Sequence, residues 1–174
     1  MIECRLKSPA KHIDLIFTNG FNMQYVSLQA ATTLTEWSER TIRRRLADGS
    51  LRCATDNDAY YKTMICFDSI KHDICIPLKP DDIELIKSAD SGDAKAQNDL
   101  ALLFLEHSKL KSAVYWLELA AKQNLTDAMH LLGRCYLEGN GLPKDDSLAM
   151  MWIAKAASLG HPIALAQIQS IRPT

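Results

Sequence analysis

The chain has 174 residues with ordinary hydrophobic (47%) and charged (24%) fractions, which suits one or two small soluble domains, and no run approaches the ~20 apolar residues of a membrane span. Its five cysteines are odd in number and include no Cys-x-x-Cys pair, which argues against a disulfide framework and a zinc site, so we expect a reduced, cytoplasmic protein. The net charge of −1 is uneven, because residues 1–80 carry 11 Lys and Arg against 9 Asp and Glu while the rest carries 9 against 12, and this mild asymmetry suggests two tasks.

The N-terminal stretch predicts a small β-hairpin. Hydrophobic and polar residues alternate over residues 13–26, and Asn19-Gly20 forms a typical hairpin turn between the two halves. The sequence predicts no function for this hairpin.

Two short helices are predicted after the hairpin. Ser27 predicts the N-cap of the first helix, which ends near Leu34, and Ser38 predicts the N-cap of the second, over residues 39–47. Ile42 of the second helix is expected to face inward. On the opposite side, three arginines spaced i, i+3 and i+4 share one exposed face.

A two-stranded wing is predicted next, with strands over residues 51–54 and 60–65. Arg52 and Lys62 are its cationic residues, whereas the turn between the strands carries two aspartates. Aspartates repel phosphates, so this turn departs from the basic tip expected of a wing that touches DNA.

The order of helix, break, arginine-faced helix and wing is that of a winged helix-turn-helix. Segments 26–31 and 38–51 resemble the DNA-binding heads of the MerR and phage-excisionase families. The resemblance implies that the second helix enters the major groove of double-stranded DNA, where guanidinium groups suit guanine edges or phosphates. The DNA-binding residues expected from this interpretation are Ser38, Arg40, Thr41, Arg43, Arg44, Arg52 and Lys62. The alternative is a surface helix whose arginines are only solvated.

The back half of the chain repeats itself. Segments 113–121 and 149–157 match each other, as do segments 96–106 and 128–138, and a third copy begins at His161. Apolar residues at i, i+3 and i+4 predict a pair of helices in each copy. The expected core residues of these repeats are Leu100, Phe104, Trp116, Leu132, Tyr136 and Trp152.

Segments 136–145, 149–152 and 155–161 resemble Sel-one-like repeats, relatives of the tetratricopeptide repeats that build α-solenoids. The resemblance covers about residues 81–171 and implies an adaptor whose concave face binds protein. The first copy lacks the glycine-rich loop at residues 106–110, so its turn must be built differently. Because two and a half repeats fall below the ~3 needed for a stable stack, we expect them to pack on the front half or, through homodimerisation, on a second chain.

The predicted fold class is mainly α: a small winged helix-turn-helix domain with a β-hairpin (residues 1–78), followed by a short α-solenoid of helix-pair repeats (residues 79–174). The sequence contains no catalytic set, phosphate loop or spaced metal ligands, so we expect no enzyme activity, no cofactor, no metal and no membrane partner. The favoured hypothesis is a DNA-binding transcriptional regulator, nucleoid-associated, whose repeats dimerise or bind a protein partner. The alternative is a protein-interaction adaptor with a degenerate head that does not bind DNA.

Overall fold

The computed structural model describes residues 24–54 and 63–171, and this part of the protein is mainly helical. A small head (residues 24–54 and 63–78) is followed by a helix stack (residues 80–171). The elements of the head are β1 (Tyr25–Ser27), α1 (Leu28–Thr35), α2 (Glu39–Ala47), β2 (Met64–Cys66) and α3 (Phe67–Ile70). The elements of the helix stack are α4 (Pro80–Ser91), α5 (Ala94–Glu106), α6 (Leu110–Lys122), α7 (Thr126–Glu138), α8 (Asp146–Ser158) and α9 (Pro162–Ile171).

The two predicted helices of the head are confirmed, and each begins after the predicted serine. The Ser27 side chain accepts a hydrogen bond from the backbone N–H of Ala30, and Ser38 caps α2 in the same way. Helix α1 ends where Glu36 adopts a left-handed conformation with φ of 56°. Ile42 of α2 is fully buried, so α2 packs on the head through one side only.

A short sheet joins the two ends of the head. Strand β1 pairs antiparallel with β2, with Val26 opposite Ile65. On its other edge β2 is hydrogen-bonded to residues 52–54: Cys66 N donates to Arg52 O at 2.8 Å and Ala54 N donates to Met64 O at 3.0 Å, on either side of a bridge between Cys53 and Ile65. The first predicted wing strand is thus present as a short bridged segment. Residues 13–23 of the predicted hairpin and the predicted wing turn with Lys62 lie outside the described residues.

The loops within the two helix pairs of the stack differ, as the sequence predicts. Between α7 and α8 the chain uses Gly139 and Gly141 at φ of 71° and 80°, values that glycine adopts without a steric penalty. Between α5 and α6 the loop has no glycine; Ser108 takes the left-handed conformation (φ 58°) and Lys109 N donates to Phe104 O at 2.8 Å. The first pair therefore closes through a shorter and more strained turn.

Helices α7 and α8 approach each other closely at Gly133. A Cβ atom at this position would lie 2.7 Å from Cγ1 of Ile153 and 3.1 Å from the backbone oxygen of Ala149. The absence of a side chain at Gly133 therefore allows the close approach of the two helices.

Head and stack share one hydrophobic core, which extends from Val26 in β1 to Ala164 in α9. The carboxylate of Asp90 in α4 accepts a hydrogen bond from Ser27 N at 2.7 Å and another from the Ser27 hydroxyl. A carboxylate at the N-terminus of α1 also interacts favourably with the helix dipole. The head thus supplies part of the burial that a short stack lacks.

Helix α1 also packs against α6. Ser112 Oγ donates to the backbone oxygen of Thr33 at 2.9 Å, and Lys109 Nζ lies 2.6 Å from a carboxylate oxygen of Glu36. The hydrogen bond to Glu36 raises the pKa of Lys109. These contacts fix the head to both α4 and α6.

Helix α9 is held on the stack by a pair of stacked histidines. The ring centres of His130 in α7 and His161 lie 4.6 Å apart. His161 Nδ1 accepts a hydrogen bond from the backbone N–H of Ala164, which lies in the first turn of α9. His161 Nε2 lies 3.3 Å from Oδ1 of Asp127, and His130 Nε2 lies 3.2 Å from Oε1 of Gln167. These contacts attach the start of α9 to α7.

We predict that replacing Ser27 destabilises the protein more than replacing Ser38, although both residues are N-caps. Ser38→Ala removes a cap and should lower the free energy of unfolding by about 1 kcal/mol. Ser27→Ala also removes a hydroxyl donor from the Asp90 carboxylate and should cost about 2–3 kcal/mol. Guanidinium denaturation of the two variants measures the difference, and equal losses would contradict the role assigned to Asp90.

We also predict that stability falls as the pH drops below about 6.5. Burial and the neighbouring His161 lower the pKa of His130 from its usual 6.5, so in this range the unfolded chain binds a proton that the folded chain does not. The contribution is complete above pH 6.5 and is lost as the pH falls toward the lowered pKa. Denaturation at pH 7.5 and 5.5 should show this loss, and His130→Gln should reduce it.

His72→Gln is the matched control, because His72 is exposed in the head. A pH dependence that His130→Gln leaves unchanged would show that the stacked histidines are not its source.

Candidate interaction surfaces

The arginine face, defined as Arg40, Arg43 and Arg44 of α2, is exposed. Arg43 forms an ion pair with Glu39 one turn earlier, at 2.6 Å. Arg40 and Arg44 form no ion pair with any residue that the structure describes. The face is therefore available to an anion, with one of its three guanidinium groups already paired.

The other residues predicted to bind DNA are arranged around this face. The hydroxyls of Ser38 and Thr41 lie 2.9 Å apart and hydrogen-bond each other at the start of α2. Arg52 is exposed on the segment that bridges to β2, and Lys62 lies outside the described residues. The structure thus brings Ser38 and Thr41 together with the arginine face.

Arg45, which the sequence did not single out, has a structural role instead. Its guanidinium carbon lies 3.8 Å from the centre of the Trp37 ring, and Nη1 lies 3.9 Å from a carboxylate oxygen of Asp73. A guanidinium over an indole face gains a cation–π interaction. Arg45 therefore attaches α2 to the head and is not part of the arginine face.

The six predicted core residues of the repeats are buried to different degrees. Four are fully buried: Leu100, Phe104, Trp116 and Leu132. Tyr136 and Trp152 are partly buried. Trp152 also has the Lys155 ammonium 5.4 Å from its ring centre. The two tryptophans at equivalent positions, 36 residues apart, thus have different surroundings.

Exposed large hydrophobic residues concentrate at the C-terminal end of the stack. Of the eight in the described part of the chain, six follow α7: Leu148, Met150, Met151, Leu159, Ile163 and Leu165. Single exposed apolar residues are normal on protein surfaces, but a cluster of them is not.

Three of the partly or fully exposed residues share one side of α8, and Leu159, the residue that follows the helix, lies on the same side. We call Leu148, Met151, Trp152 and Leu159 the α8 stripe, because their spacing of 3, 4 and 11 residues places them on the same side of a helix. Leu148, Met151 and Leu159 are 38%, 48% and 51% exposed. Lys155 lies on the same side and is the one charged residue among them.

Part of the equivalent side of α6 is covered by the head, whereas Tyr115 and Gln123, which correspond to Met151 and Leu159, are partly buried and exposed. Ser112, which corresponds to Leu148 at an offset of 36, is buried and hydrogen-bonds to α1. Trp116, which corresponds to Trp152, is 1% exposed. The α8 stripe is therefore the counterpart of a surface that is already in part an interface one repeat earlier.

No described helix alone is long and apolar enough to cross a membrane. Helices α8 and α9 reach the length and hydrophobicity of a membrane-spanning segment only when they are taken together, and the chain bends by 119° between them.

The comparisons with known proteins agree with the repeat geometry. The family model for the Sel1 repeat matches residues 94–125 and 126–161, the segments that contain the pairs α5–α6 and α7–α8.

Two solved structures are similar to this chain. A Sel1 repeat protein from Oxalobacter formigenes is 37% identical, with 49% of this chain and 68% of that chain covered and a TM-score of 0.45. A protective antigen of uropathogenic Escherichia coli strains, described as displaying an SLR fold, is 36% identical, with 50% of this chain and 19% of that chain covered and a TM-score of 0.47. On the matched repeats and on the sequence identity to the first of these proteins, the chain belongs to the Sel1 repeat proteins.

Proposed function

We propose that the protein is a non-catalytic adaptor that binds protein through the α8 stripe. Sel1 repeat proteins mediate protein–protein interaction. The observation that carries the proposal is the contrast between equivalent positions on two helices: Ser112 and Trp116 are buried on α6, where Ser112 contacts the head, whereas the stripe on α8 exposes three large apolar side chains.

The chemistry of the α8 stripe suits a protein interface. Removing a large apolar side chain from water stabilises a complex by up to about 1.5–3 kcal/mol when burial is complete. Methionine and tryptophan are enriched in interfaces, and the flexible methionine side chain adapts to differently shaped partners. The stripe combines Met151 and Trp152 with two leucines.

We predict that a photoreactive residue in the α8 stripe forms protein adducts in cells. Benzoylphenylalanine at position 151 should give adducts on irradiation, because Met151 lies in the proposed interface. The same residue at position 102 is the matched control, since Leu102 is 43% exposed on α5, outside the stripe. Gel analysis and mass spectrometry of the adducts measure the outcome. Equal adduct patterns from both positions, or no adduct from position 151, would contradict the proposal.

A second candidate function is binding of double-stranded DNA through the arginine face. The exposure of all three arginines on one side of α2 favours it. The predicted helix, break and arginine-faced helix correspond to α1 and α2, and the bridge at Cys53 and β2 follow where the wing is predicted. With three cations and one of them paired to Glu39, a single head offers few phosphate contacts, so we place this function second.

We predict that, if the head binds DNA, a triple alanine variant of the arginine face loses that binding. Each lost phosphate contact makes the slope of log Kobs against log salt shallower by about 0.9, so the slope should change by about 2–3. Gel shifts with random duplex at low salt measure this. The matched control is a triple alanine variant of Lys95, Lys111 and Lys122, three exposed lysines of the stack. If both variants and the unmodified protein shift the duplex equally, the arginine face is not a DNA site.

A further inference from the structure

We propose that a cavity at the junction of the head and the helix stack binds a small organic anion with an apolar body. The cavity has a volume of about 410 Å³, within the range of roughly 300–1,000 Å³ that is typical of small-molecule sites. One of its walls is the linker between the two parts of the protein, residues 74–79. Because the cavity is separate from the α8 stripe, this proposal goes beyond the proposed function and does not depend on it.

The walls of the cavity are mainly apolar and come from both parts of the protein. Phe67 belongs to α3 of the head, Ile74, Ile76 and Leu78 belong to the linker, and Ile83 belongs to α4 of the stack. Phe67 and Ile76 are buried, whereas the other three are only partly buried. A ligand in the cavity would therefore contact head and stack at the same time, and it would remove partly exposed aliphatic side chains from water.

The linker is unusually apolar for a loop. Loops are generally polar, yet the linker has large aliphatic residues at alternate positions 74, 76 and 78. Between the first two, Cys75 holds the linker on α1, because its backbone N–H donates to Leu34 O at 2.8 Å. The linker is thus fixed to the head while its aliphatic side chains line the cavity. Apolar surface that is left partly exposed beside polar residues marks binding grooves.

The charges along the cavity are positive. Of the described residues that line it, Lys71 and Lys79 are the charged ones. Both are exposed, and neither forms an ion pair within the part of the chain that the structure describes. Two nearby carboxylates have other partners: Asp82 accepts a hydrogen bond from Lys79 N at 2.7 Å, and an oxygen of Asp73 lies 3.9 Å from Arg45 Nη1.

Two unpaired ammonium groups beside an apolar wall favour a ligand with a negative charge at one end. An ammonium group acts as a point charge without a preferred planar partner, so a carboxylate and a phosphate suit it equally. The shared chemistry is that of an amphipathic organic anion.

A second cavity of the same volume has the opposite character. It lies between α4 and α5 and is lined by the carboxylates of Glu84, Asp93 and Asp99 beside a single lysine. Such a lining repels an anion and offers little apolar surface. The combination of an apolar wall and two cations therefore distinguishes the cavity at the junction.

The test is a titration of the full chain with octanoate, followed by methyl NMR. Butyrate has the same charge and a shorter tail, whereas octylammonium has the same tail and the opposite charge. Octanoate should bind saturably and at least about tenfold more tightly than either, because butyrate buries fewer methylene groups and the two lysines repel octylammonium. Octyl phosphate should also bind, and the tighter of the two anions identifies the preferred head group.

The position of the shifts and a pair of variants test the site itself. The methyl signals of Ile76 and Ile83 should shift, whereas those of Met151 in the α8 stripe and Ile163 in α9 should not.

Replacing Lys71 and Lys79 together by glutamine should weaken octanoate binding by about fivefold, because exposed ion pairs contribute modestly. The matched control replaces Lys95 and Lys122, two exposed lysines of the stack, by glutamine. It removes the same charge and should leave the affinity unchanged, and circular dichroism should show that both variants are folded.

The proposal is overturned if octanoate does not bind, or if octylammonium binds as tightly. It is also overturned if both double variants bind octanoate equally. Shifts at Met151 and Ile163 instead of Ile76 and Ile83 would equally contradict it, because the probe would then coat the exposed apolar residues of α8 and α9. The adduct test at position 151 is independent of these measurements, so the adaptor function stands or fails separately.

Discussion

The carboxylate of Asp90 attaches the head to the helix stack by accepting two hydrogen bonds from Ser27. Ser27 also caps α1 through Ala30, so one side chain both starts the first helix and fixes it to α4. Because Ser27 also hydrogen-bonds to Asp90, the start of α1 is stabilised by contact with the helix stack. With the head in this position the core continues without interruption from β1 to α9, and two helix pairs suffice where more repeats are usually needed.

The position of the head makes two similar repeats unequal. Trp116 and Trp152 stand at equivalent sequence positions, yet the first is 1% exposed and the second is only partly buried. The head contacts α6 through Ser112 and Lys109, whereas no head residue in the described part of the chain contacts the same side of α8. Equivalent positions of two similar repeats thus have different surroundings, without a change in the helix-pair framework.

Local features of the structure follow from the sequence, whereas contacts between distant segments do not. The serine caps of α1 and α2 and the different loops of the two helix pairs depend on neighbouring residues, so propensity and turn chemistry predicted them. The Ser27–Asp90 contact joins residues 63 positions apart, and Asp90 has no periodic partner that would identify it. The helical spacing placed Arg45 off the arginine face but did not predict its stacking on Trp37. The unequal burial of Trp116 and Trp152 is of the same kind, because the position of the head is not encoded within either repeat.

The arginine face and the α8 stripe lie on different parts of the molecule, so the two candidate functions depend on different residues. Helix α2 packs on the head through Ile42 and Arg45, whereas the stripe belongs to the second helix pair. Substitutions in one surface leave the residues of the other unchanged, so the two candidate functions can be tested separately.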